Sequence, residues 1–315
     1  MNKTVLITGC CGFIGSHLCD FFLSNNFKVI GIDNLLTGVT QNIEKCLKNP
    51  NFLFINHDVC YSIKIKNDID FILHFASPAS PTDYIKYPIK TLQIGSRGTE
   101  NILNLAINKK ATILVASTSE IYGDPLEHPQ NEKYYGNVNP VGPRGVYDEA
   151  KRYLEAITMA YHRKFKVDSK IVRIFNTYGS NMRINDGRAI PNFIKQAINN
   201  ENFTVYGDGK QTRSFTYIDD TISGIYKLLM SNYSGPVNIG NPSEYSILEL
   251  IGIIRGLIPT NSKIIFKELP ENDPKVRQPN ITLAQSLLNW RPKIELRDGL
   301  KKTISHYRKL HKFKL

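Results

Sequence analysis

The first half of this chain predicts a doubly wound α/β fold, a parallel β-sheet covered by helices on both faces. Three features carry that expectation. Short β-branched runs alternate with helical patterns from residue 4 to about residue 175. Each run is continuously apolar rather than alternating, the mark of a strand buried on both faces. A glycine triplet stands between the first run and the first helical pattern.

The elements follow in order. TVLIT (4–8) reads as the first strand and residues 13–25 as a helix. KVIGID (28–33), FLFIN (52–56), DFILHFA (70–76), TILVAST (112–118) and KIVRIF (170–175) read as further strands. Helical patterns at 90–108 and 147–164 fill the longer gaps. After residue 176 turns become frequent (NTYGSN, INDGR, YGDGKQ) and strands short. This predicts a domain over 1–176 and a smaller, partly interleaved substrate domain over 177–315, with a segment near 212–240 crossing back into the first.

Composition bounds the function. The chain has 315 residues, 41% of them hydrophobic and 22% charged, and a net charge of +12. No apolar run approaches the ~20 residues of a membrane span. The start, MNKTVLITG, has no secretory apolar core, so a cytoplasmic protein is expected. The basic residues are scattered apart from the tail KKTISHYRKLHKFKL (301–315), and no nucleic-acid motif accompanies them. The surplus is read as attraction for anionic small ligands. Cysteines 10, 11, 19, 46 and 60 form no CxxC pair and are odd in number. They read as reduced thiols, with no metal site and no disulfide framework.

Two constellations carry chemistry. Gly9, Gly12 and Gly15 form GxxGxxG between a strand and a helix, the setting in which backbone N–H groups meet a pyrophosphate at a helix N-terminus. Asp33 ends the second strand, placed to accept hydrogen bonds from an adenosine ribose, which favours NAD over NADP. This is a Rossmann-type site, and Cys10 and Cys11 occupy its variable positions. Tyr147 and Lys151, at i and i+4, share one helix face. An ammonium beside a phenol is expected to lower its pKa, so that the phenolate takes a proton from an alcohol while hydride leaves the carbon. Thr118, Ser119 and Glu120 follow the fifth strand, at the carboxyl edge where ligands bind in such sheets.

With these residues in view, the chain resembles the extended short-chain dehydrogenase/reductases that act on nucleotide sugars, and among them the UDP-glucuronate decarboxylases. HFASPASP (74–81), STSEIYGDPLEHPQ (117–130), GNVNPVGPRGVYDEAKR (136–152), RIFNTYG (173–179), NDGRAIPNFI (185–194), TVYGDGKQTRSF (204–215) and DPKVRQPNIT (273–282) carry the likeness, which covers nearly the whole chain. The resemblance implies a tightly bound NAD and a homodimer formed through the helices 90–108 and 147–164. It implies Tyr147, Lys151, Thr118, Glu120 and Arg277 as the catalytic group. It places Gly9, Gly12, Phe13, Ile14, Asp33, Asn34, Thr37, Gly38, Asp58, Val59, Ala76, Ser77 and Thr91 with Tyr147 and Lys151 around the cofactor. It places Pro81, Tyr84, Lys90, Ser119, Asn176, Arg188, Tyr206, Gln211, Arg213 and Arg277 around the sugar nucleotide.

Rival activities within the superfamily differ at single positions. A 4,6-dehydratase resembles this chain but carries an aspartic acid where Ser119 stands, and a serine is a poor general acid for expelling a hydroxyl. A 4-epimerase has no need of Glu120 and Arg277 together. A decarboxylase that rearranges its product to a branched pentose shares the same core. A nucleotide-binding sensor would be expected to lose Tyr147, Lys151 or Thr118, and all three are present. Gly145, Val146, Ser180, Asn181 and Asn280 depart from the usual family residues.

Overall fold

A computed structural model describes residues 3–268 and 276–312. The DPK of the 273–282 segment and the last three residues of the basic tail lie outside the described residues. The first elements are β1 (Thr4–Thr8), α1 (Phe13–Ser24), β2 (Lys28–Asp33), α2 (Glu44–Leu47), β3 (Phe52–Asn56) and β4 (Phe71–His74). Then come α3 (Pro81–Lys86), α4 (Pro88–Gln93), α5 (Thr99–Lys109), β5 (Thr112–Thr118), α6 (Gly145–Phe165) and β6 (Ser169–Ile174). The second half carries β7 (Thr177–Tyr178), α7 (Ala189–Ile198), β8 (Phe203–Tyr206), β9 (Thr212–Ser214), β10 (Thr216–Tyr217) and α8 (Ile218–Leu229). It closes with β11 (Pro236–Ile239), β12 (Glu244–Ser246), α9 (Ile247–Arg255), β13 (Ile264–Lys267), α10 (Thr282–Leu288) and α11 (Leu296–Lys312).

Seven parallel strands form one sheet in the order β11-β6-β5-β4-β1-β2-β3. The order reverses direction at β1 and β4, which opens a crevice at their carboxyl ends. The pleat divides the core in two. Val5, Ile7, Leu73, Leu114 and Val172 pack on one face with Leu18, Phe22 and Ile225 of α1 and α8. Leu6, Ile30, Ile72, Ile113 and Ile171 pack on the other with Ile102, Leu103 and Leu154 of α5 and α6. This two-faced burial is why the strands read as unbroken apolar runs. β11, from the second half of the chain, pairs with β6 (Val237 opposite Val172) and extends the sheet. The remaining strands form three two-stranded ladders, β10-β7, β12-β9 and β13-β8.

Two expectations are revised. The run 70–76 forms a strand only over Phe71–His74, because the Thr8 hydroxyl accepts the Phe75 and Ala76 N–H groups, each at 3.1 Å, and turns the chain away. The helix expected over 90–108 is broken: α4 passes through a π turn at 94–98 before α5. The wider turn carries Gly95, where an added Cβ would lie 2.7 Å from the Ala150 carbonyl, so α6 approaches closer than any side chain would allow. Among the described residues, no helix is long and apolar enough to cross a membrane.

The C-terminal segment is tied to the sheet's helical layer by Trp290. Its buried indole N–H donates to the Asp220 carbonyl at 3.2 Å, and the Asp220 carboxylate accepts the Lys293 and Ile294 N–H groups at 3.0 and 2.9 Å. Trp290→Ala is expected to lower the unfolding free energy by about 3–5 kcal/mol, read by urea denaturation with an unchanged m-value.

Candidate active site

A cleft of about 640 Å³ opens at the carboxyl edge of the sheet, between the first six strands and the segments of the second half. Its floor begins at the glycine turn. Gly9 has φ +72°, and its own N–H donates to the Ile32 carbonyl at 2.8 Å, which folds the chain sharply out of β1. Gly12 is the N-cap of α1 and offers no side chain to satisfy the first helical N–H groups, while Gly12, Phe13, Ile14 and Gly15 line the cleft. The start of α1 is therefore a ready donor set for an anion.

Asp33 is buried and oriented by two backbone donors, Cys11 N–H at 2.9 Å and Leu35 N–H at 2.8 Å. Its carboxylate is fixed without side-chain help, as a ribose acceptor must be. Beside it Asn34 donates to Asp58 at 3.1 Å, and Asp58 pairs with Lys90 at 2.5 Å. This relocates Lys90, expected at the sugar nucleotide: it holds Asp58 and does not line the cleft. Thr91 is fully buried and its hydroxyl donates to the Tyr87 carbonyl at 2.9 Å, inside its own helix. Val59 is buried against the π turn, and Gly38 packs where a Cβ would meet Cys11 at 2.9 Å and the Asp33 carboxylate at 3.0 Å. Thr37 and Ser77 line the cleft, and Ala76 adjoins it through its bond to Thr8.

The glycine turn, the uncapped α1 terminus and the oriented Asp33 together fit a dinucleotide: donors for the pyrophosphate, a carboxylate for a ribose diol, and an open cleft between them. Cys10 and Cys11 lie side by side with their sulfurs 3.8 Å apart, within 4.8 Å of an Asp33 oxygen. The hydrogen bond to Cys10, then burial, push the Cys11 thiol far up, which keeps it a neutral thiol rather than a thiolate ligand.

The side of the cleft that carries Tyr147 and Lys151 is built by α6 and β5. Tyr147 is buried, stacked flat on Tyr84 with ring centroids 5.1 Å apart. Lys151 reaches past it, its ammonium 5.7 Å from the Tyr147 ring centre and donating to the Ala116 carbonyl at 2.8 Å. The expectation that lysine lowers the phenol's pKa is corrected here. Burial dominates and pushes Tyr147 up, with a hydrogen bond to Thr118 and the charge of Arg188 working against it. Burial also pushes Lys151 down, to about 8. His74, hydrogen-bonded between Thr8 (2.8 Å) and Thr99 (3.3 Å), is forced down to about 3 by burial and by Lys151, and so stays a neutral strand residue.

Glu120 follows β5 in a short turn capped by Thr118, whose hydroxyl accepts the Glu120 N–H at 3.2 Å. Its carboxylate is shared between two guanidiniums, Arg277 on Oε1 and Arg144 on Oε2 at 2.6 Å. Against burial, which would raise it, these two charges hold Glu120 down at about 2. Arg277 also donates to the Gly123 carbonyl at 3.2 Å, and Ser119 lines the cleft beside them.

Farther along, Arg188 lines the cleft and is held by Asp186, with Nη2–Oδ2 at 2.9 Å. Asn176 donates to the Ser214 carbonyl at 3.2 Å, and Gln211 to the Tyr206 carbonyl at 2.6 Å. Tyr206 stands half-exposed at the rim, and Arg213 lines the cleft with Nη1 on the Thr212 carbonyl at 2.8 Å. Pro81 opens α3, which Ser80 caps by accepting the Asp83 N–H at 3.3 Å.

Sequence reasoning missed two arginines. Arg144 precedes Tyr147 by three residues, a helical spacing that puts both on one face and could have flagged it. Arg183 lines the cleft on Asp83, a partner 100 residues away that no local pattern reveals.

The profile of the GDP-mannose 4,6-dehydratase family matches residues 6–303. UDP-glucuronic acid decarboxylase 1 of Danio rerio is 48% identical, over 97% of this chain and 73% of its own length. UDP-glucuronic acid decarboxylase 4 of Arabidopsis thaliana is 48% identical, over 96% of this chain and 68% of its own. Among solved structures, a tyrosine-to-phenylalanine mutant of UDP-glucuronic acid 4-epimerase from Bacillus cereus, in complex with a 4-deoxy-4-fluoro derivative of UDP-glucuronic acid and NAD, superposes with a TM-score of 0.89. It is 30% identical over 98% of this chain and 100% of that one.

The shared carboxylate has a consequence for stability. Glu120 titrates below its ordinary value of 4.5, so its ionised form stabilises the fold. That contribution is whole above the ordinary carboxylate range and is lost as pH falls toward about 2. Glu120→Gln, which removes the negative charge between the two guanidiniums, is expected to cost about 3 kcal/mol near neutral pH. Urea titrations from pH 6 down to pH 2.5 should show the gap between the two proteins narrowing once pH passes below about 4.5.

Proposed function

The chain belongs to the GDP-mannose 4,6-dehydratase family of extended short-chain dehydrogenase/reductases, and from that premise we propose that it is an NAD-dependent UDP-glucuronate decarboxylase that forms UDP-xylose. The observation that carries the reading is the carboxyl end of β5. Thr118, Ser119 and Glu120 lie beside the buried Tyr147, and Glu120 is held between Arg144 and Arg277. Two guanidiniums on one carboxylate give a cationic seat for a sugar carboxylate. Ser119, between Thr118 and Glu120 in the sequence, withholds the acid that loss of a 6-hydroxyl would need. Loss of CO₂ needs no such acid.

The glycine turn and Asp33 would hold NAD, which would supply the hydride acceptor for oxidation at C4 and the donor for its later reduction. The chain's residues do the rest. Tyr147 Oη, after releasing its own proton to solvent as a phenolate beside the Lys151 ammonium, takes the proton of the C4 hydroxyl, and the Thr118 hydroxyl orients that oxygen. With C4 a ketone, the substrate is a β-keto acid. The C5–carboxyl bond breaks, CO₂ departs, and the electron pair moves to the C4 oxygen. The Thr118 hydroxyl and the Tyr147 phenol face that oxyanion and stabilise it. Arg277 and Arg144 hold the carboxylate until it leaves, and Glu120 positions both. A proton from solvent water then reaches C5, and as C4 is reduced again Tyr147 returns its own proton to the C4 oxygen. Tyr84, stacked on Tyr147, excludes water from the phenol's face. Arg188, Arg213, Gln211 and Asn176 line the cleft, where they would hold the nucleotide diphosphate. Ile85, Ile89 and Tyr153 are exposed on α3, α4 and α6, apolar side chains that a second copy would cover.

Incubation with NAD and UDP-glucuronate, followed by mass spectrometry and proton NMR, tests the reading. The expected product is a UDP-pentose with xylose stereochemistry, and Tyr147→Phe should lower turnover at least about a hundredfold. UDP-galacturonate as product would make the chain a 4-epimerase. Untouched UDP-glucuronate alongside dehydrated UDP- or dTDP-glucose would make it a dehydratase.

A further inference from the structure

The crevice at the carboxyl ends of β1 and β4 has two lips, the start of α1 and the start of α3. One segment from the second half of the chain is fastened to both. Residues 179–188 run between β7 and α7 in turns and bends. Their first end is tied to the α1 lip. The Ser180 carbonyl lies 2.9 Å from His17 Nε2, and the Asn181 amide donates to the Ser16 hydroxyl at 3.1 Å. Asn42 ties the same end to the glycine turn, its amide reaching the Cys11 carbonyl at 3.0 Å and the Asn181 carbonyl at 3.4 Å. The Asn181 N–H donates to His306 Nε2 of α11 at 3.1 Å. The other end is tied to the α3 lip. Arg183 pairs with Asp83 and donates to the Ser80 hydroxyl at 3.5 Å, and the Thr82 hydroxyl donates to the Asp186 carbonyl at 3.2 Å. Gly187, at φ +92°, sits so close to α3 that a Cβ would meet Thr82 Cγ2 at 2.9 Å. Asn181, Met182 and Arg183 line the same cleft as Gly9, Gly12 and Phe13. A segment anchored on both lips crosses the crevice between them, so a dinucleotide over the glycine turn would lie beneath it.

We infer that residues 179–188 form a strap over the cofactor crevice and that the Asp83–Arg183 pair is its latch, whose opening sets how fast NAD exchanges. The inference rests on the reading of the crevice as an NAD site and deepens it by naming what retains the cofactor. The two anchors are unequal. The α1 end is held by hydrogen bonds to α1, Asn42 and α11, whereas the α3 end depends on an ion pair whose arginine side chain is 36% exposed. A pair that water reaches is the easier one to break. α3 itself is held from behind by the stacking of Tyr84 on Tyr147, so the strap moves and α3 stays. A reaction that oxidises and then reduces the same sugar needs its cofactor kept in place between the two steps. Asp83 and Arg183 are positioning residues that act through the strap. Their pair forms between two protein groups, so its strength enters the opening step that precedes both entry and release. Weakening it speeds both and changes affinity little. A side chain that contacts NAD directly would instead alter release and affinity together.

The test measures NAD exchange on the full chain without sugar nucleotide. Radiolabelled NAD is loaded, chased with excess unlabelled NAD and followed by filter binding, and uptake is timed on charcoal-stripped protein. Asp83→Asn keeps the side-chain volume and leaves the Arg183 charge in the cleft. It is expected to raise both the uptake and the release rate constants roughly three- to tenfold, with the dissociation constant unchanged within about twofold. Arg183→Ala should do the same from the other side of the crevice, and Arg183→Lys should keep most of the slow exchange. The double variant should be no faster than the faster single one, because both remove the same pair. Unchanged rates in both single variants overturn the inference. So does a dissociation constant that moves in step with the release rate while uptake stays constant, which would mark a direct contact with NAD. Either result leaves the NAD and decarboxylase readings standing. An unsubstituted chain that takes up no NAD overturns both the inference and the cofactor reading.

Discussion

The molecule depends on a stripe of three polar side chains along one face of α6. Tyr147, Lys151 and Glu155 stand at i, i+4 and i+8 and meet the last three residues of β5. Lys151 holds the Ala116 carbonyl, Glu155 accepts the Ser117 hydroxyl at 2.5 Å, and Tyr147 is hydrogen-bonded to Thr118. Glu155 is anchored in turn by Arg173 in a two-pronged pair of 2.9 and 2.8 Å, and Arg173 sits opposite Ser117 in the β5–β6 register. A buried ion pair recovers its desolvation cost only when its geometry is good and its other valences are filled. Here they are: Arg173 also donates to the Tyr122 hydroxyl and the Glu132 carbonyl, each at 2.9 Å, and Tyr122 donates to Asn238 of β11 at 2.8 Å. α6 is therefore pinned to three adjacent strands, and the position of the Tyr147 phenol follows from the register of the sheet.

The electrostatics of the cleft extend the same logic. Arg144, Arg183 and Arg188 each face it already engaged with a carboxylate, Glu120, Asp83 or Asp186. A guanidinium held this way is oriented before any ligand arrives, so binding an anion replaces one bond by another instead of ordering a loose side chain. The +12 charge of the chain then serves as a long-range attraction for anionic ligands, while the pairs fix their local geometry.

The sequence made legible what is periodic or local. Strands 4–8, 28–33, 52–56 and 112–118 stand at the residues expected, because burial on both faces leaves an unbroken apolar signature. Tyr147 and Lys151 were legible because helix geometry alone puts them together. What stayed hidden depends on contacts between distant segments. Arg277 meets Glu120 across 157 positions, and Lys90 found Asp58 instead of the cleft. The break at 94–98 was hidden because residues 90–108 keep a helical period on either side of it, and only the approach of Ala150 explains the wider turn. The phenol's raised pKa was hidden because spacing reports the neighbour, Lys151, and not the depth at which both are buried.

The paired cysteines of the glycine turn illustrate how a departure from a familiar pattern is absorbed. Their side chains point into the core, where Cys10, Cys11 and Cys19 pack among the residues between the sheet and α1. Room for them comes from two glycines on neighbouring segments. A Cβ at Gly31 would stand 2.8 Å from the Cys10 sulfur, and one at Gly38 2.9 Å from the Cys11 Cβ. The thiols thus substitute for volume that other side chains would supply from the far side of the same gap. What the turn contributes to the cleft is backbone: the Cys11 N–H orients Asp33, and the Cys11 carbonyl accepts from the Val39 N–H at 3.1 Å and the Asn42 side chain at 3.0 Å. Any residue small enough for the core could present the same peptide groups, so the conformation of the turn rests on the glycines and not on the thiols.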